Sequence, residues 1–171
     1  RIEHKQLHIN EIQYGKSEIA TYLGAADYKL TYKATNGRSV YSFCMCPGGS
    51  VIAASSEEKH LVVNGMSEYS RKRENANSAI IVGVYPDDFL GNHPLRGMDF
   101  QRTIESKAYV LGGNNYFAPV QKMSDFLGDQ LGENKISRIM PSYRPGYKEC
   151  NLNALYPNFI NEALHEAFAN F

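Results

Sequence analysis

The sequence predicts an α+β fold: an antiparallel sheet of about five strands, arranged as a meander, followed by helices packing on one side or end of it. Three observations carry that expectation. Apolar and polar residues alternate with period two on both sides of Asn36-Gly37, a dipeptide that favours a hairpin turn. Short polar turns, with no long crossover, join the strand-like stretches up to residue 85. Beyond Pro86 the apolar period becomes that of a helix.

Taken in order, residues 1–14 carry Ile2, Leu7, Ile9, Ile12 and Tyr14 as an imperfect helical stripe that Gly15 would stop. Residues 15–27 form a polar connection. In residues 28–35, Tyr28, Leu30, Tyr32 and Ala34 alternate with polar neighbours, as in a strand with one wet face. Asn36-Gly37 predicts a type I′ turn, with positive φ at both residues. The return strand over 39–46 is apolar on both faces, which predicts a central strand covered on both sides. Pro47-Gly48-Gly49-Ser50 is the next turn. Strands are expected at 51–56, 60–66 and 78–85, with a polar turn at 55–59 and a charged surface loop at 67–77.

In the second half, Phe100, Ile104, Ala108 and Leu111 lie on one helical face, with Gly112-Gly113 as the C-terminal cap. Pro119 opens a shorter expected helix through Val120, Met123, Phe126 and Leu127, stopped by Gly128. Residues 129–150 read as irregular. A last helix opens at Pro157, with Phe159, Ile160, Ala163, Leu164, Ala167, Phe168 and Phe171 as one stripe.

The chain has 171 residues, enough for one domain with its own core. Its 18 basic and 18 acidic side chains cancel. A nucleic-acid partner is not expected, because phosphate binding draws on a basic excess. No apolar run reaches the roughly 20 residues needed to cross a bilayer, so no membrane contact is expected. Three cysteines, an odd number, favour a reducing, cytoplasmic setting over a disulfide framework. The chain starts at Arg1 rather than Met, as a processed or excised piece would.

Few residues carry chemistry by spacing alone. Cys44 and Cys46 would share one face of a regular strand, either as buried small hydrophobes or as a thiol surface toward a cofactor. Their Cα atoms would stand about 6.6 Å apart, near the limit for a disulfide, so none is expected between them. Cys150 is isolated, and the five histidines are dispersed, so no zinc site is expected. Gly48-Gly49 is either a turn or a place of close backbone approach. Asn64, Asn75 and Asn77 read equally as turn residues or as amides for a polar ligand. Arg71-Lys72-Arg73, balanced by Glu68 and Glu74, reads as a solvated loop. There is no G-x-G-x-x-G, no P-loop and no nucleophile elbow, so these residues do not bind a dinucleotide in the usual way.

One stretch is more specific. Arg38 through Cys44-Met45-Cys46-Pro47-Gly48-Gly49, followed by Ala54-Ser55-Ser56-Glu57, Leu61-Val62-Val63-Asn64-Gly65-Met66-Ser67 and Asn75-Ala76-Asn77-Ser78-Ala79, resembles the bacterial uncharacterised FAD-dependent dehydrogenases, or NAD(FAD)-utilizing dehydrogenases. Arg1-Ile2-Glu3-His4, Gly112-Gly113-Asn114 and Pro141-Ser142-Tyr143 extend the similarity over nearly the whole chain. Lys72-Arg73 departs from the family pattern, which has an acidic or small residue followed by Gly.

The resemblance implies an inserted substrate-binding or cap domain of a larger oxidoreductase, with FAD held by a Rossmann domain elsewhere in the parent chain. It implies that Cys46, Pro47, Gly48, Gly49, Ser55 and Ser56 face the flavin. Asn64, Gly65, Met66, Ser67, Asn75, Asn77 and Ser78 would line substrate or the domain contact. The expected substrate is an unassigned small molecule. No FAD and no activity are expected of these residues alone. Small and apolar residues are expected to be exposed near neighbouring termini and around Cys46 to Gly49, with self-association through that face. An interaction module without chemistry is the alternative, and a thiol enzyme using Cys46 a weaker one.

Overall fold

The computed structural model describes residues 1–18, 22–128 and 139–171. It is α+β, built on a four-stranded antiparallel sheet of order β1-β6-β3-β2. These strands are β1 (Ile2–Lys5), β2 (Thr31–Lys33), β3 (Ser39–Cys46) and β6 (Asn75–Val82). Strands β4 (Gly49–Ala53) and β5 (Val63–Ser67) form a separate antiparallel ladder that lies against β6. Four helices complete the described fold: α1 (Gln6–Tyr14), α2 (Arg96–Gly112), α3 (Met123–Gly128) and α4 (Asn158–Asn170). A short parallel pair, β7 (Ala118–Val120) with β8 (Tyr147–Glu149), links the helical half.

The α+β expectation and its antiparallel sheet hold, but the strands are not ordered as a simple meander. The chain leaves the main sheet after β3, makes the β4–β5 hairpin, and returns as β6 to pair with both β3 and β1. Residues 2–5, read as helix, form β1, because Asn75 to Ser78 offer them a backbone ladder. The same pairing turns Asn75–Asn77, read as the end of a loop, into strand.

The Asn36-Gly37 hairpin forms with another turn. Only Gly37 has positive φ, at 81°. Gly37 N–H donates to Ala34 O and Ala34 N–H to Arg38 O, each 2.9 Å, a three-residue loop with glycine in the bulge position. Helix α4 sets that choice. Thr35 N–H and its hydroxyl donate to the Glu166 carboxylate, and Asn36 Nδ2 donates to Phe159 O.

Pro119 does not start a helix. It lies in β7, where the ladder uses Ala118 N–H and Val120 O, so the missing proline donor costs no bond. Part of the region expected to be irregular, residues 129–138, lies outside the described residues; of the rest, 147–149 are strand.

Alternation along the sheet sends Val40, Ile80 and Val82 to one face, where Ile160, Ala163, Leu164 and Ala167 of α4 cover them. A second cluster, with Val51, Leu61, Ala108, Ala118, Tyr143 and Leu155, joins β4 to α2 and β7. The opposite face of the main sheet is not covered as expected. Tyr41 and Phe43 project from β3 there, and Phe43 is 54% exposed. Their cross-strand partners Ile81 and Ala79 lie beside them on the same face.

Candidate functional site

At the open face, β3 is irregular. Phe43 pairs with Ala79, but Cys46 pairs with Asn77, so β3 spends three steps where β6 spends two. The extra residue makes a β-bulge, and Cys44 adopts φ 44°, a left-handed conformation that non-glycine residues adopt at a cost. The bulge breaks the regular alternation on which a shared cysteine face rested. Cys44 is exposed, Cys46 half-buried, and all three thiols are free. The buried-hydrophobe reading therefore fails at Cys44.

Arg1 clamps the bulge. Its Nη2 donates to Cys44 O at 2.6 Å and approaches Cys46 Sγ at 3.6 Å; its Nε donates to Asn77 Oδ1 at 2.7 Å. Nη1 reaches Asn64 Oδ1 at 3.4 Å. These partners are neutral, and among the described residues no carboxylate forms an ion pair with Arg1. Asn77 is fully buried, and its Nδ2 has no hydrogen-bond partner. A side chain at Gly65 would collide with Arg1 Nη2 and Asn77 Oδ1, so this pair could keep its present position only with glycine there, and any larger residue would displace the guanidinium.

Several residues expected from the sequence thus meet: Cys46, Asn64, Gly65 and Asn77 surround one guanidinium. Met66 lies beside them on β5, 54% exposed. Ser67 Oγ instead donates to Pro47 O at 2.7 Å. Asn75 faces inward, its Nδ2 donating to Glu3 Oε1 and to Met140 O. Ser78 is buried and donates to Phe43 O.

The Pro47-Gly48-Gly49 turn is buried, which corrects the expectation of an exposed small-residue surface around Cys46 to Gly49. Gly48 N–H donates to Gln6 Oε1 at 2.6 Å, and its O accepts from Arg73 N–H at 3.2 Å. A Cβ on Gly48 would strike the Arg71 backbone, so its close approach is to the chain itself. Ser55 and Ser56 are exposed beyond Ala53, about 20 Å of strand from Gly49, and do not join the Arg1 cluster. Ser55 Oγ accepts from Val62 N–H there.

Local sequence reading missed the organising role of Arg1, and also Glu3, which accepts from Ser142 N–H and Oγ. No spacing rule points to either, since each acts across a sheet pairing. His4 Nε2 lies 2.8 Å from Tyr28 Oη. Burial lowers the His4 pKa and pushes the Tyr28 hydroxyl up to about 12. Burial likewise raises the Cys150 thiol. Among the described residues no cluster of three metal-ligating side chains occurs, and no helix is long and apolar enough to cross a membrane.

Residues 1–171 match the family model described as FAD-dependent protein, C-terminal domain-like. The chain belongs to that family. A protein of Clostridium beijerinckii (strain ATCC 51743 / NCIMB 8052), named only as uncharacterized, is 52% identical over 172 residues. That alignment takes in 100% of this chain and 32% of the relative, so the chain spans about a third of the length of the relative it matches. The FAD-dependent family is thus the one that the sequence resemblance indicated at the level of the cofactor.

Proposed function

We propose that this domain is the substrate-binding cap of a larger FAD-dependent oxidoreductase, inserted in or packed against the part that holds the dinucleotide. The observation that carries the reading is the half-open sheet. One face is packed by α4; the other presents Tyr41, Phe43 and Ile81, with the Arg1 guanidinium at its border. Register supports that border: Ile2 pairs with Ser78, which brings Arg1 beside Ala79, the partner of Phe43.

Such a face would form one wall of a cavity over the isoalloxazine, with substrate between the two. Tyr41 and Phe43 would exclude water from that cavity, and Arg1 and Asn64 would stand at its border. FAD would supply the electron transfer, as in a dehydrogenase. The residues of this chain would bind and orient the substrate and keep solvent out. The partner in this reading is the Rossmann-type domain of the same parent, in a cytoplasmic setting.

The test is alkylation of Cys44 in the full-length flavoprotein, followed by mass spectrometry of its peptide. With flavin bound, labelling should be slower by about tenfold or more than after flavin removal. Equal rates in the two forms would overturn the cap reading and leave the open face to the interaction-module alternative.

A further inference from the structure

We propose that Arg1 is a carboxylate-binding anchor, and that the substrate is a small molecule with a planar apolar body and one carboxylate group. Calling the ligand a substrate rests on the cap reading; the anion site itself rests on the residues alone.

The argument starts from charge. Among the described residues, Arg38, Arg73 and Arg102 each pair with a carboxylate, to Asp88, Glu68 and Glu57, while Arg71 and Arg144 are exposed and Arg96 donates to Gly91 O. Arg1 is half-buried and held at Nε, Nη1 and Nη2, yet its acceptors are an amide pair and a backbone carbonyl. A guanidinium withdrawn from water keeps its charge, so its field acts on whatever enters next to it. Glu3 is the near acid on the same strand face, and Ser142 and Asn75 engage its oxygens. The anchor is also rigid. Asn77 fixes the guanidinium from below, Gly65 leaves room for it, and the Cys44 bulge receives its Nη2. Rigid donors lose little freedom on binding, and a charge-assisted bond to the guanidinium favours a carboxylate over a neutral acceptor.

A second observation points the same way. The buried Asn77 Nδ2 lacks an acceptor, and it belongs to the side chain that positions Arg1. An unmet donor beside a guanidinium that has no carboxylate partner leaves this corner of the fold with uncompensated positive charge. The neighbouring sheet surface is aromatic: Phe43 and Tyr41 project from β3. The geometry therefore calls for an anionic head and a planar apolar body.

Benzoate has both features, and benzamide is its neutral counterpart. Binding of each to the full-length flavin-loaded protein is measured by calorimetry, with flavin absorbance followed in parallel. Benzoate should bind saturably, at least about tenfold more tightly than benzamide. Arg1→Met should remove that preference. Asn77→Asp, which supplies Arg1 with an internal counter-ion at nearly unchanged shape, should remove it too, and stands in if Arg1→Met does not fold. No benzoate binding, equal affinity for benzamide, or a preference that survives both substitutions would overturn the carboxylate anchor. Arg1-dependent binding with a silent flavin spectrum would uphold the anchor and overturn the cap reading alone.

Discussion

The two faces of the main sheet share one backbone and one alternation, yet only one is finished. On the α4 side, Val40, Ile80 and Val82 meet Ile160, Leu164 and the fully buried Ala163 and Ala167. The two alanines let the helix approach closely, and the larger side chains fill the space on either side. On the other side, Tyr41 and Phe43 are 37% and 54% exposed, and the border is polar: Arg1, Asn64 and the exposed Cys44. The first face has a core's composition, and its burial is complete within the chain. The second is aromatic with a polar border, and the described residues leave it half open.

Cutting into the packed face sharpens this contrast most. Leu164→Ala removes a buried side chain from a closed cluster and should cost about 2–5 kcal/mol. Urea denaturation would show it as a lower midpoint with unchanged slope.

A smaller effect is expected where the packed side is tied to the loop after β6. Arg38 and Asp88 form a bidentate pair, with side chains only 12% and 13% exposed, and Arg38 also lies 4.0 Å from the Phe159 ring centroid. Arg38→Ala leaves Asp88 without its partner and should cost about 3 kcal/mol. This pair also gives a pH dependence. The hydrogen bond from Arg38 holds the Asp88 carboxyl below its ordinary value of 3.8. The unfolded chain therefore binds the proton more readily, and the pair's contribution is full above about pH 4. It is lost as the pH falls through the lowered folded value. Asp88→Asn should lack that acid phase in a series of melts from about pH 5 to about pH 2.

The smallest effect on stability should come from the open face. Phe43→Ser should lower the unfolding free energy by only about 1 kcal/mol, because about half of the side chain is already exposed. Its effect should appear in the full-length protein instead, as faster alkylation of Cys44 or weaker flavin retention. A loss of stability as large as that of Leu164→Ala would erase the distinction between the faces.

Much of the packed half was legible locally. The α2 stripe with its Gly113 cap and the α4 stripe behind Pro157 follow from helical period and end signals. Strand β3 matches its expected bounds. What failed shares a cause. β1 carries helix-like spacing but has a strand partner more than 70 positions away, and Asn75 to Asn77 are polar enough for a loop but lie in that same ladder. The candidate site was legible in its members, since Cys46, Asn64, Gly65 and Asn77 all appear in the family-like string. Their meeting point was not, because Arg1 reaches them across three strands.

The sequence by itself determined the α+β class, the long helices and the family, because period, caps and a specific residue string are local properties of the chain. Tertiary structure decided the strand order, the burial of Pro47-Gly48-Gly49 beneath Gln6 and the Arg73 segment, and the exposure of Phe43. The physical reason is that alternation divides a strand into two faces without saying which of them will be covered. That depends on where the rest of the chain returns: α4 returned to the Val40 face, and nothing among the described residues covers Phe43 to the same extent.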